Sequence, residues 1–279
     1  MSHNNQKKIA VINDLSGFGR CSITVALPVI SYLRIQCCPL PTSIFSNHTG
    51  YSDYFFDDYT SHMEEYAQKW NTLDLKFQGI ATGFLGSEKQ IEIIRNCIHD
   101  FREEGTQILV DPVMADHGSL YSKYTPKMCE EMKHLVEQAN IVTPNITEAC
   151  ILTSTTYKKE NWKHIELLRI ASSISLLGPD KVVITGIDLG TFIGNFVFEK
   201  NGPAKLIRTK KVGTERAGTG DLFASILIAD AVNKVPFFAS VKRAADFIKK
   251  CILASEKLNI PPQDGVCFEE LLHTLKWKI

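Results

Sequence analysis

The fold of this 279-residue chain is set by residues 107–149, which read QILVDPVMADHGSLYSKYTPKMCEEMKHLVEQANIVTPNITEA. An apolar run at 107–112 predicts a buried strand, the amphipathic stretch 126–138 predicts a helix, and the apolar run 140–143 predicts a second strand. A strand, a helix and a strand of these lengths predict a βαβ unit, in which the two strands run parallel. Polar and acidic residues follow each strand directly.

The same alternation extends in both directions from this unit. Strands are predicted at 8–13, 35–41, 77–82 and 181–185, and helices at 21–33, 57–70, 87–102 and 162–177. Ser87, with Gln90 three residues later, predicts a capping box at the start of the 87–102 helix. Two further strands, 191–199 and 204–212, flank Asn201-Gly202-Pro203 and predict an antiparallel hairpin. The last third reads as helices at 218–233, 237–257 and 268–275.

These elements predict an α/β protein with one domain over 1–279. We expect a mostly parallel central sheet covered by helices on both faces, with the hairpin at one edge. Hydrophobic residues make up 44% of the chain, enough for a large core.

Charge and cysteine usage exclude several classes of partner. Lys and Arg number 31, equal to Asp and Glu, so no overall field attracts nucleic acid or an anionic membrane. No apolar run approaches the ~18 residues of a membrane span, and the polar segment 1–8 lacks a signal-peptide core. The eight cysteines form no C-x-x-C pair, so we predict reduced core thiols and a cytoplasmic protein.

In such sheets, ligands bind outside the carboxyl ends of the strands. The strongest candidate there is Ala217-Gly218-Thr219-Gly220-Asp221, which opens an apolar helix. Two glycines at a helix start expose backbone N–H groups to an anion. An acid beside an anion site suits a general base. The alternative is that Asp221 only stabilises the first helical turn.

Three other segments occupy comparable positions. DPVMAD at 111–116 suits Mg²⁺ carried on phosphates, or is an ordinary turn. TPNITE at 143–148 places Glu148 toward the same edge as Asp111, or simply caps a helix through Asn145 or Thr147. The polar loop FSNHTGY at 45–51 suits recognition of a polar ring, or is solvated.

Two nucleotide motifs are absent or incomplete. GFGRCS at 17–22 resembles a dinucleotide fingerprint but has Ser22 in place of the third glycine and no acid near residue 42. No G-x-x-x-x-G-K-[ST] segment occurs, which excludes a P-loop kinase.

Taken together, the segments FSNHTGY, LGS at 85–87, DPVM, TPNITEA and GTGD resemble the pyridoxal kinases of the ribokinase-like superfamily, in order and over nearly the whole chain. GTGD alone marks the superfamily, whereas the other segments are typical of vitamin B6 kinases. The resemblance implies a three-layer ribokinase-like fold and transfer of phosphate from ATP to the 5′-hydroxymethyl group of pyridoxal, pyridoxine or pyridoxamine. It also implies Mg²⁺, K⁺ and a homodimer.

The resemblance assigns roles to single positions. Asp221 matches the catalytic base, and Gly218, Thr219 and Gly220 match the anion hole. On the nucleotide side the matching residues are Asp111, Asn145, Glu148 and Thr185 for ATP, and Asp111, Asp116 and Glu148 for the metal. On the substrate side we predict contacts from Asn13, Asp14, His48, Thr49, Phe84 and Asp221.

The sequence departs from the family at two places. Phe84 stands where the family commonly has tyrosine, and Asn13-Asp14-Leu15-Ser16-Gly17 replaces the usual S-H-x-x-x-G. Asp14 could pair with the amine of pyridoxamine or a protonated ring nitrogen, or it could cap the following turn. Two alternative functions therefore stay open, that of a hydroxymethylpyrimidine kinase and that of a non-catalytic B6-binding protein.

Overall fold

A nine-stranded sheet forms the middle layer of the computed structural model, which describes residues 2–275. The strand order is β11-β10-β9-β8-β5-β4-β1-β2-β3. The strands are β1 (Lys8–Phe18), β2 (Gln36–Asn47), β3 (Phe56–Asp58), β4 (Gly79–Thr82), β5 (Gln107–Val110), β8 (Ile141–Val142), β9 (Lys181–Asp188), β10 (Phe192–Glu199) and β11 (Lys205–Lys210). A separate two-stranded hairpin joins β6 (Ala115–Asp116) to β7 (Ser119–Leu120).

Six strands of the sheet run parallel, from β9 through β8, β5, β4 and β1 to β2. The β10–β11 hairpin adds antiparallel strands at one edge, and β3 adds one at the other. The predicted mostly parallel sheet with an edge hairpin is therefore confirmed.

Eight α-helices of the described residues cover the sheet. They are α1 (Ser22–Tyr32), α2 (Thr60–Thr72), α3 (Glu88–Phe101), α4 (Pro126–Val136), α5 (Ile146–Leu152), α6 (His164–Leu177), α7 (Thr219–Val232) and α8 (Phe237–Lys257). Buried residues of α2 to α6 pack on one face and those of α1, α7 and α8 on the other. Along β5, Ile108 and Val110 enter the first core and Leu109 the second, as the two-residue period of a strand requires. This confirms the three-layer arrangement.

Three predicted element bounds were wrong, and one hairpin was not predicted. β1 continues to Phe18 instead of ending at Asn13, and β2 continues to Asn47 instead of ending at residue 41, because the two strands pair along this length. Residues 56–58 form β3 before α2 begins, and the 115–120 hairpin was not predicted. The helix predicted at 268–275 is a 3-10 helix at 269–275.

The predicted capping box at Ser87 is half correct. The Ser87 side chain accepts a hydrogen bond from the Gln90 backbone N–H at 3.2 Å. The Gln90 side chain, however, accepts from the Gly86 N–H at 2.7 Å instead of returning to Ser87.

All eight cysteines lie in the described part of the chain, and none is in a disulfide. Six are buried, as predicted, while Cys37 and Cys38 are half-buried. Among residues 2–275, no helix combines the length and apolar composition needed to cross a membrane.

Candidate active site

The start of α7 lies at the carboxyl edge of the parallel strands, and its geometry requires a glycine. Gly218 has φ +78°, and a Cβ there would lie 1.9 Å from the Arg20 carbonyl oxygen. The first intrahelical bond is donated by Leu222 to the Gly218 carbonyl. The amides of Gly218, Thr219 and Gly220 precede that bond and are available to an anion at the start of the helix, whereas the Asp221 N–H bonds its own carboxylate.

Asp221 lies at this helix start and is contacted by two other elements. Asn13 of β1 donates from Nδ2 to Asp221 Oδ1 at 3.2 Å. Burial raises the pKa of Asp221, while the backbone N–H of Ser22 and the Asn13 amide act to lower it. A half-buried carboxylate with a raised pKa beside an anion site has the properties of a general base.

Asn13 links three parts of the site. Its Oδ1 accepts from the Phe84 backbone N–H at 2.8 Å and from the Asp14 backbone N–H at 2.9 Å. A Cβ at Gly83 would lie 2.4 Å from Asn13 Nδ2, so the turn after β4 fits closely around this amide. Phe84 also packs against Phe45 with ring centroids 6.2 Å apart. The predicted substrate residues Asn13 and Phe84 therefore lie side by side.

Asp14 lies at an irregularity in the β1–β2 register, and its side chain is 5% exposed. Its two carboxylate oxygens accept from the Ser16 hydroxyl at 2.9 Å and the Ser22 hydroxyl at 2.5 Å. Burial raises its pKa to about 6, with a further contribution from the charge of Asp221. Asp14 thus has hydrogen-bond partners within the protein. This favours the alternative that Asp14 caps the following turn over the predicted contact with the vitamer ring.

Asp111 follows β5 and points toward the same helix start. Its Oδ1 accepts from the Thr143 hydroxyl at 2.9 Å, and its Oδ2 lies 3.9 Å from the position of a Cβ on Gly220. Burial raises the pKa of Asp111 to about 7, and the negative charge of Asp221 adds to the shift.

Glu148 is 3% exposed and completes a capping box with Asn145 at the start of α5. Its oxygens accept from the backbone N–H groups of Met114, at 3.1 Å, and Asn145, at 2.8 Å. Burial and the charge of Asp111 raise its pKa well above the usual range. The helix-capping alternative is therefore correct for Asn145, and the cap is what positions Glu148 beside Asp111.

Asp116 lies on the β6–β7 hairpin. It forms a group with the exposed His117 and Glu215, and the possible ligand atoms of the three residues lie within 4.8 Å of one another. Burial raises the pKa of the Tyr121 hydroxyl, and the charges of Glu148, Asp116, Asp111 and Glu215 add to the shift.

Thr185 ends the parallel part of β9 and joins the edge at Pro144. Its backbone N–H donates to the Pro144 carbonyl at 2.9 Å, and Asn145 forms a parallel bridge with it. Gly186 follows at φ +67° with open space around its Cα.

The predicted 45–51 loop comprises the last three residues of β2 and the turn after them, and it is held by a segment more than 200 residues away in sequence. The Gly50 N–H donates to His48 Nδ1, so the imidazole carries its proton on Nε2, which donates to the Gln263 carbonyl at 2.7 Å. The Tyr51 hydroxyl donates to Asp264 Oδ1 at 2.7 Å. Thr49 is exposed on the loop.

Sequence reasoning missed several residues of this region. Tyr121, Gln263 and Asp264 belong to no motif, and Ser22 was noted only as a departure from the dinucleotide fingerprint. Only the folded chain brings these four residues to the site. Arg216 is a partial exception, since it directly precedes the glycine motif. Its buried guanidinium donates to Glu256 at 3.0 Å and to the Ile260 carbonyl at 2.8 Å, and so fixes the approach to α7.

The three-layer architecture, the glycine-initiated α7 and the acidic strand ends define a ribokinase-like protein. The chain belongs to the phosphomethylpyrimidine kinase family, whose model matches residues 27–265.

Individual relatives are similar over large parts of the chain. Human pyridoxal kinase is 29% identical over 210 residues, 66% of this chain and 64% of its own length. A hydroxymethylpyrimidine/phosphomethylpyrimidine kinase of Haemophilus influenzae is 28% identical over 200 residues, 69% of this chain and 70% of that protein. This chain spans 57–64% of the length of the first curated relatives that it matches.

A crystal structure from Bacteroides thetaiotaomicron is similar over nearly its whole length. That protein, provisionally named a phosphomethylpyrimidine kinase, was crystallised with pyridoxal. It is 34% identical, with a TM-score of 0.94 over 99% of this chain and 97% of its own.

Proposed function

We propose that this protein transfers the γ-phosphoryl group of ATP to the 5′-hydroxymethyl group of a B6 vitamer. In this reaction the oxygen of the substrate CH₂OH group attacks the γ-phosphorus, and Asp221 takes the proton of that hydroxyl. The bond from phosphorus to the β–γ bridging oxygen breaks, and ADP leaves. The amides at 218–220 stabilise charge on the transferred oxygens.

The observation that carries the proposal is the position of Asp221. It lies on the first turn of a helix whose free amides form an anion site, between Asn13 on one side and Asp111 on the other. A general base must reach the substrate hydroxyl while the transferred phosphoryl group occupies the anion site. Asp221 lies beside that site and so meets this requirement. The similar structure crystallised with pyridoxal supports a B6 vitamer as the substrate.

The acidic residues fit a divalent cation. Asp111 keeps one oxygen directed at the anion site, and Glu148 lies close enough for the two charges to affect each other. Carboxylate oxygens are the ligands that Mg²⁺ prefers, and a cation would relieve their repulsion. We assign Mg²⁺ to Asp111 and Glu148, with Asp116 at the periphery. When bound with ATP, Mg²⁺ supplies charge neutralisation at the phosphates.

The other residues predicted to contact the nucleotide lie at the same edge of the sheet. Thr185 and the amides after it lie beside Asn145, where they suit phosphate or the K⁺ ion that the resemblance implies. Activity with K⁺ compared with Na⁺ tests the monovalent site. The implied homodimer is tested by the mass of the protein in solution.

The decisive experiment is kcat/KM with Mg·ATP for pyridoxal, pyridoxine, pyridoxamine and hydroxymethylpyrimidine, measured side by side. We expect the highest value with a B6 vitamer. No ATP turnover with any of the four would reject the kinase proposal and favour a non-catalytic binding protein.

A second candidate is hydroxymethylpyrimidine kinase activity. The family model and the Haemophilus influenzae relative favour it. The two reactions share the base, the anion site and the nucleotide side, and differ only in the contacts to the ring. A kcat/KM that is highest for hydroxymethylpyrimidine would make this the function.

A further inference from the structure

Two groups from outside its own helix donate hydrogen bonds to Asp221, and each of them is bonded to Asp14. These groups are the Asn13 amide and the Ser22 backbone N–H. The Asp14 backbone N–H donates to Asn13 Oδ1 at 2.9 Å, and the Asp14 carboxylate accepts from the Ser22 hydroxyl at 2.5 Å. The side chain of Asp14 is therefore linked to Asp221 through Ser22, and its backbone is linked to Asp221 through Asn13.

The Ser22 path includes a strained backbone. Ser22 has φ +55°, in the left-handed region that residues other than glycine rarely adopt. Strain of this kind persists only where surrounding contacts hold it. Because the hydroxyl of Ser22 is bonded to Asp14, that bond helps to hold the conformation in which the Ser22 N–H faces Asp221.

Asp14 itself is held tightly. Its carboxylate is buried, and its second oxygen accepts from Ser16 at 2.9 Å. A buried carboxylate is costly unless its hydrogen bonds are satisfied. The β1–β2 irregularity at this residue is the type of feature that re-aims a side chain near an active site.

We propose that Asp14 is a positioning residue for Asp221. Its carboxylate orients Ser22, whose backbone N–H fixes the Asp221 carboxylate at the anion site together with the Asn13 amide. This inference rests on the proposed phosphoryl transfer. It replaces the predicted contact between Asp14 and the vitamer ring. Asp14 then acts on the rate of the chemical step and not on the binding of either substrate.

The first test uses Asp14→Ala. We expect kcat to fall by about 10- to 100-fold, with KM for ATP and for each vitamer within about twofold of wild type. A KM increase confined to pyridoxamine would overturn the proposal in favour of a ring contact. An unchanged kcat in the folded variant would overturn it as well.

Ser22→Gly provides a second route to the same answer. Glycine adopts φ +55° freely, so this variant keeps the backbone N–H and removes only the link to Asp14. Ser16→Ala is the matched control. It also removes a hydroxyl that donates to the Asp14 carboxylate, but Ser16 is not the residue that links Asp14 to Asp221. We expect Ser22→Gly to lower kcat at least about fivefold more than Ser16→Ala. Equal effects would overturn the proposal, and this pair decides the question if Asp14→Ala does not fold.

A double-mutant cycle separates positioning from general structure. In the Asp221→Asn background, Asp14→Ala should lower the residual kcat by less than about threefold, because the residue through which it acts is already removed. Full additivity of the two losses would show that Asp14 acts independently of Asp221. Wild-type protein without turnover on any of the four substrates would instead reject the proposed function.

Discussion

At the scale of single residues, the site is an arrangement of four carboxylates at one edge of the sheet. Asp14, Asp111, Glu148 and Asp221 each have a raised pKa, and burial is the largest cause in every case. Repulsion between them adds to this. Such clusters reduce stability, and they are typical of functional sites.

Asp221→Asn tests the base directly. We expect kcat to fall by about 10²-fold or more, because general-base assistance contributes factors of this size. KM for ATP should change little, since the anion-site amides remain. Turnover near the wild-type rate would remove Asp221 from the mechanism.

Asp14 should make the protein less stable at neutral pH than at mildly acid pH. Its pKa is about 6 in the folded protein and 3.8 as the ordinary value, so the folded state takes up the proton first as the pH falls. The contribution of Asp14 to the free energy of unfolding therefore rises as the pH is lowered through 6 toward 4. Between pH 7 and pH 5 the gain is about 1 kcal/mol.

Urea denaturation at pH 7 and pH 5 measures this effect. The difference between the two pH values should shift by about that amount in Asp14→Asn, which cannot ionise. An identical pH dependence in the variant and the wild type would contradict the raised pKa.

At the scale of elements, sequence and structure agree where a single segment contains its own signal. The strand ends at Asp111 and Thr143 and the glycine before α7 were all located from the sequence. The left-handed backbone conformation of Ser22 could not be located from the sequence, because it depends on Asp14 and on the extension of β1. The links from Gln263 and Asp264 to the 45–51 loop could not be predicted either, since loop-to-loop contacts across 213 residues leave no periodic pattern.

Gly218→Ala should damage the start of α7. The added Cβ would meet the Arg20 carbonyl at 1.9 Å, and φ +78° is unfavourable for alanine. We expect the free energy of unfolding to fall by about 1–3 kcal/mol or more, which is detected as a lower unfolding temperature.

Gly220→Ala is the control for that substitution. Its nearest neighbour would be Asp111 Oδ2 at 3.9 Å, and its conformation is helical. Alanine there should retain or raise stability by up to about 1 kcal/mol. Equal losses in the two variants would show that the close approach at Gly218 is not what matters.

The link between Tyr51 and Asp264 makes a prediction for substrate binding. Tyr51→Phe removes the hydroxyl that holds the 45–51 loop against the 262–264 segment. We expect KM for the vitamer to rise several-fold with KM for ATP unchanged, because a looser loop is ordered only on binding. Tyr54→Phe is the control, because Tyr54 lies three residues after this loop and packs its ring on Phe45. A rise in KM for ATP alone would place this loop on the nucleotide side.

At the scale of the whole molecule, the residues of the candidate site belong to elements distributed along the chain. β1 lies between β2 and β4 in the sheet, while α7, which carries Asp221, packs against α1, β4 and β5. The Lys7 ammonium donates to the Val232 carbonyl at 3.2 Å, which joins the residue before β1 to the end of α7. The site exists only when these distant segments are assembled.

This assembly predicts one cooperative unit over the chain. Within residues 2–275, a central sheet shared by both cores leaves no boundary at which one half could unfold alone, as expected for a single domain over 1–279. Urea unfolding should show one transition, with the same midpoint by far-ultraviolet circular dichroism and by tryptophan fluorescence. A non-hydrolysable ATP analogue at about 100 times its Kd should raise the stability of that single transition by about 2.7 kcal/mol. Two separated transitions, with only one shifted by the analogue, would contradict the single-domain prediction and locate the nucleotide site in one part of the chain.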